Sequence, residues 1–139
     1  MNKKVVNATA VFRDNIKFRS KAEAKMYELL KESGLLFKYE PDPIILQEGF
    51  YPMGWYEGTK YRKDKIRAIT YTPDFIVKVP DKNWFFIVEV KGFITDRYPL
   101  KRKMLINHID SSENNYVFAE VHTKRDMEFI IVEIKKFSR

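Results

Sequence analysis

The sequence predicts a single mixed domain of the α/β (α+β) class, in which a central mixed sheet is flanked by helices. Hydrophobic residues make up 45% of the 139 positions and aromatic residues 15%, which is enough to bury one core. Apolar residues at helical spacing alternate along the chain with short β-prone runs. The sequence has no internal repeat or low-complexity tract. We therefore expect one domain over residues 1–139, with the order α-β-β(-β)-β-α-β-α.

The first predicted element is a helix over residues 21–33. Ser20 is a favourable N-cap, Gly34 follows the last turn, and the apolar residues between them recur at helical spacing. Short strands are predicted at 35–40 and 44–46, because two β-prone runs there are separated by a Pro-Asp-Pro turn.

Residues 47–67 are predicted to form a long loop or an irregular hairpin inserted into the domain. Turn-forming glycine and proline residues alternate there with aromatic residues, which are Phe50, Tyr51, Trp55, Tyr56 and Tyr61. Two interpretations are open. Either the rings pack back on the sheet, with Trp55 in the core, or they face a substrate or a second subunit.

The rest of the chain is predicted to alternate strands with helices. These elements are strands at 68–72, 75–79 and 84–91, a helix at about 97–110 and a strand at 116–121. The apolar residues from Met127 to Phe137 recur at intervals of three and four, which favours a final helix, while their β-branched side chains leave a strand open.

The composition excludes several kinds of protein. The absence of cysteine excludes disulfides, thiolate metal sites and a cysteine nucleophile, and it is typical of a cytoplasmic protein. No apolar run is long enough to suggest a membrane segment. The 26 Lys and Arg residues exceed the 19 Asp and Glu residues, so the net charge of +7 favours an anionic partner such as nucleic acid.

Charged residues lie inside the predicted hairpin, where apolar residues would be expected. A symmetric turn at 80–83 places Asp74 opposite Glu89, so that both side chains point to the same face. Lys91, two residues further on, shares that face. A bulge in the hairpin would break this register.

Two adjacent carboxylates repel each other unless a cation lies between them. Oxygen ligands suit a hard divalent ion, so Asp74, Glu89 and the backbone carbonyl of Val90 are candidate ligands for Mg²⁺, with Mn²⁺ as a substitute. Such a site, with Lys91 positioning water, predicts phosphodiester hydrolysis. The alternative is that Asp74 forms a local Asx turn and that Glu89 and Lys91 are solvent-facing strand charges.

Residues 72–75 (TPDF) and 89–92 (EVKG) resemble the signature of the PD-(D/E)XK nuclease superfamily. Together with residues 18–23 (FRSKAE) and 38–40 (KYE), they are similar to Holliday-junction resolvases of the phage endonuclease I type and to related small phage-encoded nucleases. The resemblance extends from about residue 18 to residue 109. The segment 47–67 is longer and more aromatic than in that family.

The resemblance implies a restriction-endonuclease-like core and a metal-dependent, homodimeric endonuclease that cleaves DNA, with branched DNA as a candidate substrate, in the cytoplasm of the cell or of a phage host. It implies that Asp74 and Glu89 bind the metal, that Lys91 is catalytic, and that Glu23 is a further acid that helps to hold a metal or its water. A capping box with Ser20 is the alternative role for Glu23. Arg19 is a candidate phosphate contact.

Two clusters of basic residues flank the predicted site and are candidate DNA contacts; they are Lys60, Arg62, Lys63, Lys65 and Arg67, and Arg97, Lys101, Arg102 and Lys103. Each cluster taken alone is also typical of a solvated surface. Two other functions stay open. One is a restriction-like or transposon-end nuclease that acts on ordinary duplex DNA, and the other is a noncatalytic nucleic-acid-binding or regulatory protein that has kept the scaffold.

Overall fold

The computed structural model describes residues 10–92, 97–113 and 115–138. Its helices are α1 (Lys21–Ser33), α2 (Tyr98–Ser111) and α3 (Lys124–Lys135). Its strands are β1 (Val11–Arg13), β2 (Ile16–Phe18), β3 (Phe37–Tyr39), β4 (Ile44–Gln47), β5 (Trp55–Glu57), β6 (Lys60–Arg62), β7 (Ile69–Tyr71), β8 (Phe75–Lys78), β9 (Phe85–Val90) and β10 (Tyr116–Val121). None of the helices in the described ranges has the length and apolar character needed to cross a membrane.

The central sheet has four strands in the order β10-β9-β8-β3. β9 and β10 run parallel, whereas β8 is antiparallel to both β9 and β3, so the predicted mixed sheet is confirmed. The β8–β9 hairpin pairs Phe75 with Val88 and Lys78 with Phe85. This is the predicted register, and its continuation by one residue places Asp74 opposite Glu89.

Helices cover both faces of this sheet, as predicted. α1 and α3 pack on one face, against alternate residues of β8 and β9 that include Phe75, Val77 and Val88. α2 packs on the other face, where Leu105 and other apolar residues of α2 contact Ile87 and Tyr71. The face beneath α2 is the one that also carries the charged residues of the hairpin.

The first helix has the ends that its sequence predicts, and the last helix begins at a cap that was not predicted. Ser20 caps α1 by accepting a hydrogen bond from the Glu23 amide at 3.1 Å, and Gly34 ends the helix in the left-handed conformation with a φ of 77°. At α3, Thr123 and Asp126 form a capping box. The final segment is therefore a helix, and the strand alternative is wrong.

An N-terminal hairpin precedes the first helix and was not predicted. Asp14 and Asn15 form its two-residue turn with φ values of 49° and 65°, the pair of positive angles that a type I′ turn requires. Phe18 at its end is fully buried and packs on Tyr27 of α1 and Tyr39 of β3. Asp-Asn is a recognisable signal for such a turn, but the strands on either side are only three residues long.

The segment 47–67 is a hairpin, and its aromatic rings do not pack back on the sheet. β5 and β6 pair around a turn whose first residue, Gly58, has a φ of 61°, as expected where glycine occupies the first position of a two-residue turn. Tyr56 is 69% exposed, Tyr61 51% and Trp55 41%. The expectation that Trp55 belongs to the core is therefore wrong.

Candidate active site

The ends of β8 and β9 bring three of the predicted site residues together, Asp74, Glu89 and Lys91. Phe75 and Val88 face the α1 and α3 side of the sheet. By strand alternation, Asp74 and Glu89 point to the other side, towards α2, and Lys91 extends that row. Asp74 is 2% exposed and Glu89 is fully buried. The alternative that Glu89 is a solvent-facing strand charge is therefore wrong.

Asp74 is held by bonds that cross to neighbouring strands. Its Oδ2 accepts a hydrogen bond from the Val90 amide at 2.8 Å. Its backbone carbonyl accepts a second bond, from the Glu40 amide, also at 2.8 Å. The side chain thus extends the β8–β9 ladder beyond its last paired residues, and it places the Val90 backbone beside the acidic pair.

Polar neighbours of Glu89 within the described residues, which include Lys91 and Tyr71, compensate its burial. Lys91 Nζ lies 3.1 Å from Glu89 Oε1. The Tyr71 hydroxyl donates a hydrogen bond to Glu89 Oε2. Burial, reinforced by the charge of Glu89, raises the pKa of Tyr71, so this hydroxyl stays protonated and continues to donate.

The Lys91 ammonium packs against the ring of Tyr98, which is held by a hydrogen bond to Glu120. Its Nζ lies 4.2 Å from the centroid of the Tyr98 ring, within the range of a cation–π interaction. The Tyr98 hydroxyl donates to Glu120 Oε1 at 2.5 Å, and Arg102 binds the same oxygen at 2.9 Å. Burial and the bond to Glu120 raise the pKa of Tyr98, so the anchoring hydroxyl also stays protonated.

Glu120 was missed in the sequence, although its position is comparable to that of Glu89. It lies near the end of β10 and pairs with Glu89 in the parallel β9–β10 ladder. A carboxylate at the end of a second strand was a usable signal. The roles of Tyr71 and Tyr98 carried no such signal, because they depend on how β7 and α2 pack over β9.

Glu23 lies in the first turn of α1. It belongs to α1, which packs on the opposite face of the sheet, and it is 4% exposed. Its carboxylate accepts hydrogen bonds from the Tyr39 hydroxyl at 3.0 Å and from Ser20 Oγ at 3.3 Å. The Ser20 side chain accepts the bond from the Glu23 amide that a capping box requires. The bonds found for the Glu23 carboxylate within the described residues come from hydroxyl groups and not from the Ser20 amide.

The oxygen donors at the end of the hairpin fit a hard divalent cation in their chemistry. Asp74 and Glu89 are carboxylates on one face, and the bond from the Val90 amide to Asp74 places the Val90 backbone beside them. Within the described ranges, however, no group of three or more acidic, histidine or cysteine side chains has the spacing of a metal site. Glu23 is therefore not brought into a three-carboxylate cluster with Asp74 and Glu89.

The candidate DNA-contacting residues fall into two groups. In the first group the side chain is already engaged: Arg19 pairs with Glu40, Arg62 with Glu57 and Asp64, Arg102 with Glu120, and Lys101 donates to the Thr70 carbonyl. In the second group the side chain is exposed and forms no ion pair within the described part of the chain; these residues are Lys60, Lys63, Lys65, Arg67, Arg97 and Lys103. The second group offers the charge that is available to an anionic ligand.

Comparison with known families gives a match over most of the chain. The profile of a family described as "Protein of unknown function (DUF1064)" matches residues 3–128. The chain belongs to the DUF1064 family. The DUF1064 match includes Asp74, Glu89, Lys91 and the β5–β6 hairpin, so the whole candidate site lies within the family's domain. No curated protein and no solved structure shows significant similarity to the chain.

Proposed function

We propose that this protein is a metal-dependent endonuclease with a PD-(D/E)XK-type core that hydrolyses DNA phosphodiester bonds. The observation that carries the proposal is the buried pair of Asp74 and Glu89 on adjacent strands, with the Lys91 ammonium 3.1 Å from Glu89. Branched DNA is the substrate that the sequence resemblance favours.

The energetic argument starts from the cost of burying charge. Removing a carboxylate from water costs several kcal/mol even when a partner compensates it. Groups held in this way are concentrated at functional sites, where the environment is arranged for chemistry. Asp74, Glu89 and Lys91 meet at one end of a hairpin, which is the arrangement that the PD-(D/E)XK signature implies.

In this proposal, Asp74, Glu89 and the Val90 carbonyl would hold Mg²⁺, with Mn²⁺ as a substitute. When bound, the ion polarises the phosphodiester and activates water. Lys91 donates hydrogen bonds to the attacking water or to a phosphate oxygen and stabilises the negative charge that develops there. Tyr98 keeps the Lys91 ammonium in place through its ring.

The test is a cleavage assay on four-way junction, linear duplex, single-stranded and supercoiled DNA, with Mg²⁺, Mn²⁺ or EDTA. Glu89→Gln keeps an oxygen that accepts the Tyr71 bond but removes the charge, so cleavage should fall by about 100-fold or more. Glu32→Gln is the matched control, because Glu32 is exposed on α1. Cleavage that persists in Glu89→Gln or in EDTA would refute the proposal.

The substrate panel also separates the alternatives. Preference for the junction supports action on branched DNA, whereas equal cutting of every duplex indicates a restriction-like nuclease. DNA binding without metal-dependent cutting indicates a noncatalytic binding protein. The resemblance further implies a homodimer, and light scattering that gives only the chain mass of 16.7 kDa would contradict that assembly.

A further inference from the structure

The exposed hairpin is the tip of a longer ribbon that begins at the active site. Ile44 pairs with Tyr71, Phe50 forms an isolated bridge with Ile66, and Trp55 pairs with Arg62. These pairings follow one another in order, with small shifts of register between them. The antiparallel ribbon therefore connects the β5–β6 tip to Tyr71, whose hydroxyl binds Glu89.

The two faces of this ribbon tip differ in charge. On one face Arg62 is neutralised by Glu57, at 2.9 Å, and by Asp64, at 2.6 Å. This pairing lowers the pKa of Asp64 to about 2, so the carboxylate stays charged and keeps Arg62 engaged. Arg62 therefore stabilises the tip, and it is the least available of the basic residues there.

The other face combines exposed tyrosine rings with lysines, and we call it the aromatic-basic face. Tyr56 and Tyr61 are cross-strand partners whose ring centroids lie 5.1 Å apart. Lys63 Nζ lies 5.9 Å from the Tyr61 ring, and Lys65 Nζ lies 5.9 Å from the Tyr51 ring. Tyr51 is 76% exposed, and neither lysine forms an ion pair within the described residues.

We infer that the aromatic-basic face binds single-stranded nucleic acid, or the unpaired bases of a branched DNA, on the way to the active site. Tyrosine rings stack on exposed bases whatever their sequence, and adjacent lysines bind the phosphates between them. Paired bases in a regular duplex do not present their faces in this way. This binding role adds a substrate-binding surface to the proposed function. It depends on that function only for the choice of nucleic acid as the ligand.

Charge complementarity favours this occupant over a second copy of the chain. The chain carries a net charge of +7, so two aromatic-basic faces brought together would repel each other through Lys63 and Lys65. A polyanion with flat aromatic bases matches both the lysines and the exposed rings.

The test measures binding of a fluorescent single-stranded oligonucleotide and of a blunt duplex by anisotropy in EDTA. The protein carries Glu89→Gln in every arm, so cleavage cannot affect the result. Replacing Tyr56 and Tyr61 together by serine should weaken single-strand binding by about tenfold and duplex binding much less. Phe129→Ser is the matched control, because Phe129 is 63% exposed on α3 and lies outside the ribbon.

A second comparison separates the two faces. Lys63→Gln should make the fall of log single-strand affinity with log salt concentration less steep, by roughly 0.7 in slope. Lys60→Gln removes the same charge from the opposite face and should change the slope less. Circular dichroism verifies that each variant is folded.

Unchanged single-strand affinity in the tyrosine double variant would overturn the inference. A change of this variant from dimer to monomer, measured by light scattering, would also overturn it. Failure of cleavage alone would refute the proposed function but leave this binding result intact.

Discussion

Glu89 is the residue on which most of the site's energetics depend. It is fully buried, so its charge interacts with its neighbours in a medium of low dielectric constant. Lys91 and Tyr71 both bind this carboxylate. Lys91 therefore stabilises the fold of the hairpin end as well as serving the proposed chemistry, and the two roles can be separated by measuring stability without a metal ion.

We predict that Lys91→Met lowers the free energy of unfolding by about 3 kcal/mol in EDTA, because removing one partner of a buried ion pair leaves the other charge uncompensated. Urea denaturation near neutral pH measures this change. Lys103→Met is the control, since Lys103 is exposed on α2. Because methionine also removes a cation that competes for Glu89, added Mg²⁺ should stabilise the variant more than the wild-type protein. Equal stability of Lys91→Met and Lys103→Met would contradict this account.

Among the structural elements, the ribbon of β4, β7, β5 and β6 has a tip whose backbone conformation requires glycine. Gly54 has a φ of 149°, and a Cβ atom at this position would lie 1.9 Å from the Tyr61 hydroxyl oxygen. The Tyr61 ring thus lies where only glycine leaves room, and its hydroxyl donates to the Met53 carbonyl at 3.3 Å. The Tyr61 ring of the aromatic-basic face therefore keeps its orientation because Gly54 has no side chain.

We predict that Gly54→Ala loosens the ribbon tip while leaving the central sheet intact. The variant must both adopt a backbone conformation that costs about 1 to 3 kcal/mol for other residues and displace the Tyr61 ring. Hydrogen exchange of the amides of residues 55–62 should become faster, with β8 and β9 unchanged. Gly92→Ala is the control, because a Cβ atom at Gly92 would meet no atom of the described residues within 4 Å. Unchanged exchange in 55–62 would show that Tyr61 does not depend on Gly54.

At the scale of the whole molecule, the carboxylate of Glu120 on β10 connects the central sheet to α2 and to the residue that follows β10. Glu120 binds Tyr98 and Arg102 of α2, and its second oxygen lies 2.8 Å from His122 Nε2. Burial by itself raises the pKa of Glu120, but the hydrogen bonds from these three residues outweigh it and lower the pKa below its ordinary value of 4.5. The network therefore couples the packing of α2 to the protonation of a single group.

This coupling predicts how stability depends on pH. Because the pKa of Glu120 is lower in the folded protein than in the unfolded chain, its contribution is complete above pH 4.5 and is lost as the pH falls through the folded value. We expect the free energy of unfolding of the wild-type protein to fall on acidification below pH 4.5, and Glu120→Gln to show a shallower fall. Denaturation series at several pH values measure this, with Glu32→Gln as control. Parallel curves for the wild type and Glu120→Gln would rule out the contribution.

The sequence by itself determined the features that arise from local rules. Ser20 and Gly34 mark the ends of α1, and the symmetric turn between β8 and β9 sets the register that opposes Asp74 and Glu89. These features were predictable because capping, hydrophobic period and turn geometry act over a few residues. The N-terminal hairpin was the exception, since its strands are too short to show a period.

Only the tertiary structure decided which faces are covered and which side chains meet. It placed α1, which carries Glu23, on the face of the sheet opposite the acidic pair, and it brought Tyr71 of β7 to Glu89 and Tyr98 of α2 to Lys91. It also left the rings of the ribbon exposed. The physical reason is that burial depends on the packing of elements far apart in the chain, which local sequence patterns do not encode.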